Sequence, residues 1–149
     1  MEKVLPDQSA LAEEARVFVL GLTPAESHAT LVTLSGELGA GKTAFVKAAA
    51  QALGVDEVVN SPTFVLEKIY DLPASRQDSA FKRLIHIDAY RLEKGADLEP
   101  LGFDMLMKSA ENLIMLEWPE RVADALPAPQ AALTLTIGEG EARTISYGA

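Results

Sequence analysis

The sequence predicts an α/β fold in three layers, with a central, mainly parallel sheet flanked by helices and an antiparallel C-terminal hairpin. Residues 29–34, 84–88 and 112–119 contain aliphatic runs, typical of strands that are buried on both faces, as they are in parallel sheets. Residues 133–137 and 144–147 instead alternate between apolar and polar side chains on either side of a glycine-containing turn, which predicts the hairpin.

An amphipathic helix is predicted between a short first strand, residues 4–5, and the run at residues 29–34. Its first turn can be capped by Asp7 or Ser9. Its apolar side chains share one face and its charged side chains the other, which is the pattern of a helix packed on a sheet. The apolar positions are Leu11, Ala15, Phe18, Val19 and Leu22.

A glycine-rich motif follows the first aliphatic run and precedes a helix-forming segment at residues 44–53. Residues 36–43 match G-x-x-x-x-G-K-[ST], in which glycines let the backbone amides surround a phosphate at a helix N-terminus. Lys42 would reach the β- and γ-phosphates, and the Thr43 hydroxyl would ligate Mg²⁺. The motif therefore predicts a fold like that of the P-loop NTPases, rather than an ordinary glycine turn. The expected nucleotide-binding residues are Gly36, Glu37, Leu38, Gly39, Ala40, Gly41, Lys42 and Thr43.

The middle of the chain combines a loop with short helical pieces. Residues 65–70 predict a strand, and residues 71–82 contain the Pro, Ser, Gln and Asp typical of an exposed loop. Residues 97–106 predict short helical pieces. Their apolar side chains are expected in the core: Leu98, Leu101, Met105 and Leu106.

Two of the predicted strands end in carboxylates, Asp88 and Glu117. Ligands meet the carboxyl ends of parallel strands, so Asp88 is expected where Mg²⁺ would bind, although a strand-end Asp can also cap a turn. Trp118 is the only tryptophan and directly follows Glu117. A position beside the site or on a docking surface is favoured for it over plain core packing.

Composition limits the function classes. A chain of 149 residues is expected to form one domain, residues 1–149. The absence of cysteine excludes thiol catalysis and thiolate metal sites, and two histidines leave little for a histidine metal cluster. The net charge of −9 argues against a surface that holds DNA or RNA backbone unaided, although acidity also serves solubility. With neither a membrane-length apolar run nor a basic hydrophobic leader, we expect a cytoplasmic protein with no membrane contact.

Four segments in this order and spacing resemble the TsaE (YjeE) family of small bacterial ATPases, a likeness that covers essentially the whole chain. They are G-E-L-G-A-G-K-T at residues 36–43, S-P-T-F at residues 61–64, H-I-D-A-Y-R-L at residues 86–92 and L-E-W-P-E-R at residues 116–121. The resemblance implies an ATPase that uses ATP and Mg²⁺ and serves the synthesis of threonylcarbamoyladenosine (t6A) in tRNA. It also implies TsaD and TsaB as partners. The chemistry on tRNA would belong to those subunits, so this chain would meet tRNA only indirectly.

Residue roles follow from the resemblance where the motifs match. Thr63 takes the place of a nucleotide-sensing switch threonine, and Asp7 and Gly140 would border the nucleotide. The implied catalytic residues are Lys42, Asp88 and Glu117. The implied Mg²⁺ ligands are Thr43, Thr63, Asp88 and Glu117. The implied switch or partner-facing residues are Ser61, Pro62, Thr63 and Trp118.

Two other functions remain open from the sequence. A small-molecule or nucleotide kinase could use the same P-loop, but kinases usually need a lid with several arginines, and the basic cluster here is limited to Arg76, Lys82 and Arg83. A pure binding module could use nucleotide only to stabilise its fold. The absence of an N-K-x-D motif, which would read guanine, leaves ATP favoured over GTP.

Overall fold

The computed structural model describes residues 1–56, 66–73 and 81–148. In these residues seven strands, three α-helices and three short 3₁₀ segments alternate along the chain. The elements are β1 (Glu2–Leu5), α1 (Gln8–Leu20), β2 (Thr30–Ser35), α2 (Lys42–Ala52), β3 (Glu67–Asp71), β4 (Arg83–Asp88), a 3₁₀ segment (Gly95–Leu101), α3 (Phe103–Leu106), β5 (Asn112–Glu117), two 3₁₀ turns (Pro119–Arg121 and Ala123–Ala125), β6 (Ala131–Ile137) and β7 (Arg143–Gly148).

The strands form one sheet in the order β1-β7-β6-β2-β5-β4-β3. The four inner strands, β6, β2, β5 and β4, are parallel to one another, whereas β1, β7 and β3 pair antiparallel at the edges. β6 and β7 are the predicted C-terminal hairpin. The predicted fold class, a mainly parallel central sheet with an antiparallel hairpin, is therefore confirmed.

Apolar layers cover both faces of the sheet. On one face α1 and α2 pack together, with 5.8 Å between the ring centroids of Phe18 and Phe45. On the other face the 3₁₀ segment, α3 and the turn at Val122 cover β4 and β5, and Leu98 and Phe103 are buried there. Helical layers on both sides explain why β2, β4 and β5 are mostly apolar along their length.

Two element predictions need correction. β3 begins at Glu67 and runs to Asp71 as an antiparallel edge strand, one to two residues later than predicted. Met105 was expected in the core, but its side chain is 69% exposed. Because α3 has a single turn, it directs only one side towards the sheet, and Phe103 occupies that side.

The register of the inner strands sets the position of the site. Glu117 at the end of β5 is aligned with Leu34 of β2 on one side and with Asp88 of β4 on the other. The loop from β2 to α2 leaves the sheet at this same end. Within the described residues, no helix has the length and apolar character needed to cross a membrane.

Asp7 holds the start of α1, because its carboxylate Oδ1 accepts a hydrogen bond of 2.9 Å from the backbone N–H of Ala10. Asp7→Ala is expected to lower the free energy of unfolding by about 1 kcal/mol, as the loss of an N-cap does, whereas Asp7→Ser should keep most of the stability. Urea unfolding of the two variants measures the difference. Equal loss in both would show that the charge of Asp7, not its cap, supports α1.

Candidate nucleotide-binding site

The glycine-rich loop joins β2 to α2 and lies tightly against the neighbouring strand β6. Gly36 has a φ of 146°, and a Cβ atom built there would lie 2.5 Å from the carbonyl oxygen of Leu135. Any larger residue would have to displace the backbone of β6. The first glycine of the motif is therefore required by packing as well as by its backbone angle.

Lys42 begins α2 and turns back over the loop. Its Nζ donates to the carbonyl oxygens of Gly36 and Glu37, at 3.0 Å for Glu37, and lies 4.2 Å from the centroid of the Trp118 ring. Only 4% of Lys42 is exposed. The ammonium is thus held by two backbone carbonyls and one aromatic face, at the centre of the loop that would surround a phosphate.

The electrostatic surroundings of Lys42 are acidic. Burial lowers the pKa of its ammonium, and four carboxylates oppose that shift. Since one cation faces several anions, a bare polyphosphate would meet repulsion there, which a divalent cation would relieve. The four carboxylates, in decreasing order of effect, are Glu117, Glu120, Asp88 and Glu37.

The Glu117 carboxylate is held from two sides. The Thr43 hydroxyl contacts both of its oxygens, at 3.1 Å to Oε1 and 3.0 Å to Oε2, and Nε2 of His86 lies 2.6 Å from Oε2. Glu117 and His86 are both buried. The expected Mg²⁺ ligand of the P-loop and the strand-end acid therefore meet directly.

His86 was missed as a site residue by the sequence analysis, which treated it only as part of a strand and a motif. The signal was present, since His86 stands two residues before Asp88 and strand residues two apart share a face. What the sequence could not supply was the alignment of β4 with β5, which brings His86 to Glu117.

Asp88 serves as a turn cap and also faces the site. Its Oδ1 accepts a hydrogen bond of 3.0 Å from the backbone N–H of Tyr90, so the capping role considered from the sequence is real. Asp88 also lines the cavity beside Lys42 and is paired in register with Glu117. One carboxylate thus connects the turn after β4 to the site.

Trp118 has a left-handed backbone, with φ 62° and ψ 52°. Its ring lies 4.9 Å from that of Tyr90, and the Arg121 guanidinium lies over both rings. The side chain is half-buried, contacts the core on one side and borders the cavity on the other. Both positions considered from the sequence, beside the site and against the core, therefore apply.

A cavity of about 720 Å³ extends from the loop towards the start of α1 and the β6–β7 turn. Asp7 and Gly140 line it, at the positions where the resemblance placed them beside a nucleotide. Arg143, which the sequence analysis did not single out, also lines it and donates to the carbonyl oxygens of Gly39 (3.2 Å) and Gly140 (3.0 Å). The hairpin is thereby tied to the glycine-rich loop.

The donor set fits Mg²⁺ carried by a nucleotide. The Thr43 hydroxyl and the Glu117 and Asp88 carboxylates are hard oxygen donors, the type that Mg²⁺ prefers. Among residues 1–56, 66–73 and 81–148, no group of three His, Cys, Asp or Glu side chains could hold a metal by itself. Phosphate oxygens would therefore have to complete the coordination. The predicted switch residues Ser61, Pro62 and Thr63 lie outside the described residues.

The comparison with family models decides the family. The model of the threonylcarbamoyl adenosine biosynthesis protein TsaE matches residues 8–145. The chain belongs to the TsaE family. The family acts in the biosynthesis of t6A, and that role extends to this chain.

Curated relatives agree with the family model. The chain is similar to the tRNA threonylcarbamoyladenosine biosynthesis protein TsaE of Bacillus subtilis, with 33% identity over 80% of this chain and 69% of the relative. The TsaE protein of Streptomyces coelicolor is 38% identical over 74% and 71%, and that of Rickettsia typhi is 32% identical over 89% and 83%. The crystal structure of Bacillus subtilis YdiB superposes with a TM-score of 0.76 at 24% identity, covering 99% of this chain and 83% of that one, and supports the fold.

The packing of Gly36 predicts an unequal effect of alanine along the loop. Gly36→Ala is expected to lower the free energy of unfolding by about 3 kcal/mol, because it combines a left-handed backbone angle with a clash against β6. Gly39→Ala, where nothing lies within 4 Å of a built Cβ, should cost only about 1–2 kcal/mol of backbone strain. Chemical denaturation measures both variants. Equal losses would contradict the tight contact between the loop and β6.

Proposed function

We propose that this TsaE-family chain is a Mg²⁺-dependent subunit that binds and hydrolyses ATP, and that acts as a nucleotide-dependent switch on the TsaB–TsaD pair during t6A synthesis. One observation carries the proposal. The Thr43 hydroxyl at the start of α2 lies 3.0–3.1 Å from both carboxylate oxygens of Glu117 at the end of β5. A P-loop hydroxyl and an acid in contact are the two protein groups that metal-assisted phosphoryl transfer to water requires together.

Each residue of the site would have a role set by its position. The loop amides and Lys42 would bind the β- and γ-phosphates, with Lys42 exchanging the carbonyls of Gly36 and Glu37 for phosphate oxygens. Bound Mg²⁺ would neutralise charge that develops on the phosphates. Glu117, buried beside Thr43, would orient the attacking water and accept its proton, while Asp88 would hold water around the metal.

The contact between Lys42 and Trp118 supports a switch role. If Lys42 exchanges the carbonyl oxygens of Gly36 and Glu37 for phosphate oxygens, its ammonium would move, and its contact of 4.2 Å with the Trp118 ring would change with it. Trp118 in turn packs on Tyr90 and Arg121, and 38% of Tyr90 is exposed. A change at the phosphate would therefore reach a surface of aromatic and Arg side chains, the types enriched at protein interfaces.

The charge of the chain supports an indirect relation to tRNA. A net charge of −9 would repel the phosphate backbone of tRNA, so protein partners are the better candidates for contact with it. We therefore propose that the TsaB–TsaD pair binds tRNA and carries out the transfer, and that this chain supplies the nucleotide cycle.

The two central residues should separate binding from hydrolysis. Lys42→Ala is expected to weaken ATP binding about 10- to 100-fold, because a buried charge-assisted contact to phosphate is lost. Glu117→Gln should keep ATP binding within a few-fold but lower the hydrolysis rate about 100-fold or more. Calorimetry measures binding and phosphate release measures turnover, with Lys108→Ala, an exposed lysine outside the cavity, as the matched control. Loss of ATP binding in Glu117→Gln would instead make Glu117 a primary ligand.

The switch role predicts that turnover depends on partners. Steady-state ATP hydrolysis is expected to rise about 10-fold or more when the TsaB–TsaD pair from the same source is added, and to stop when EDTA removes Mg²⁺. Glu117→Gln with the same pair serves as the blank. If the ATP hydrolysis rate is unchanged by the pair but ATP consumption rises with a small hydroxyl or phosphate acceptor, a kinase would be favoured instead.

A further inference from the structure

His86 is a fully buried polar residue of β4 that none of the roles above uses. Its neighbours along the strand face opposite layers: Leu84 lies in the core beneath α1 and α2, whereas Ile85 and Ile87 lie in the core on the other face. By strand alternation His86 lies on the α2 side of the sheet, one step before Asp88 on that face. It is therefore directly below the candidate site.

The contact to Glu117 assigns a donor role to one ring nitrogen of His86. Nε2 lies 2.6 Å from Oε2 of Glu117, and a carboxylate oxygen can only accept, so Nε2 of His86 donates. The other ring nitrogen, Nδ1, is buried and has no hydrogen-bond partner within the described part of the chain. Burying a ring nitrogen without a partner costs stability, so packing alone does not account for a histidine at this position.

The two carboxylate oxygens of Glu117 have different hydrogen-bond partners. Oε2 contacts both His86 and Thr43, whereas Oε1 contacts Thr43 alone among the described hydrogen bonds. The bond from His86 is the shorter one and comes from a side chain fixed inside the sheet. His86 thus anchors Oε2, whereas Oε1 has the Thr43 hydroxyl as its one described hydrogen-bond partner.

We propose that His86 is the positioning residue for Glu117, holding one carboxylate oxygen so that the other is aimed at the reacting water. The proposal rests on the hydrolytic function proposed above and deepens it. Without His86, the only side-chain bonds described for the Glu117 carboxylate come from the Thr43 hydroxyl, and rotation about its own side-chain bonds would move Oε1. A displacement of about 1 Å of a catalytic group can reduce a rate about 100-fold while leaving substrate binding intact.

Two substitutions test the role of the Nε2 donor. His86→Met fills a similar volume without a donor, and His86→Gln keeps an N–H group at a similar distance along the side chain. With the TsaB–TsaD pair present, His86→Met is expected to lower kcat for ATP hydrolysis at least 10-fold with less than a 3-fold change in ATP affinity, and His86→Gln should recover a large part of kcat. Leu84→Met, on the same strand and face but without contact to Glu117, is the matched control and should resemble the wild type.

A spectroscopic measurement tests the contact without activity. His28 is the chain's other histidine, so His28→Gln leaves one ring to observe by ¹H–¹⁵N NMR. We expect a slowly exchanging Nε2–H signal from His86 that shifts in Glu117→Gln and not in Leu84→Met. This measurement also tests the contact between His86 and Glu117 if His86→Met fails to fold.

The outcomes separate the two proposals. A wild-type chain that shows no hydrolysis above Glu117→Gln, even with the pair, would overturn the hydrolytic function, and the NMR signal would then report only the contact. The positioning role would be overturned by an absent Nε2–H signal or by an unchanged kcat in His86→Met. It would also be overturned if His86→Met and His86→Gln lost kcat equally, or if ATP affinity and kcat fell in parallel.

Discussion

The parallel pairing of β5 with β2 on one side and β4 on the other is the constraint on which the site depends. It places Leu34, Glu117 and Asp88 at one level, so that the glycine-rich loop and both carboxylates leave the sheet together. All six residues of β5 are buried, and a slip of one residue would move Glu117 to the opposite face. Apolar packing on both faces therefore fixes the register, and the register brings the polar groups together.

The site contains buried charged side chains, which the rest of the described core lacks. Glu117 and Lys42 are only 2% and 4% exposed, and burying an ionised group costs several kcal/mol unless it is paired or hydrogen-bonded. Each has such partners: Thr43 and His86 for Glu117, backbone carbonyls and Trp118 for Lys42. The groups are thus held in place by interactions that phosphate and Mg²⁺ would have to replace or extend. That is the arrangement expected of a site whose geometry is formed before its ligand arrives.

The fold and the centre of the site could be predicted from the sequence because their signals are local. Consecutive residues encode the glycine-rich loop, and aliphatic runs ending in Asp88 and Glu117 encode the strands and their polar ends. His86 and Arg143 could not be found in this way, because His86 gains its role from a residue on the next strand and Arg143 from a loop more than 100 residues away in sequence. Met105 was misplaced because periodicity cannot tell a one-turn helix from a longer one that would bury it.

Trp118 shows how a site of this kind can be coupled to a surface without a long pathway. Its backbone is held on both sides, by N–H donation to Leu34 of β2 and by a carbonyl that accepts from Arg121. Pro119 disfavours the right-handed helical region for the residue before it. A left-handed φ at a tryptophan costs about 1–3 kcal/mol and persists only where its surroundings determine it. The Trp118 ring contacts both Lys42 and Tyr90. A shift of the lysine towards phosphate would therefore change the packing of the partly exposed Tyr90 through a single side chain.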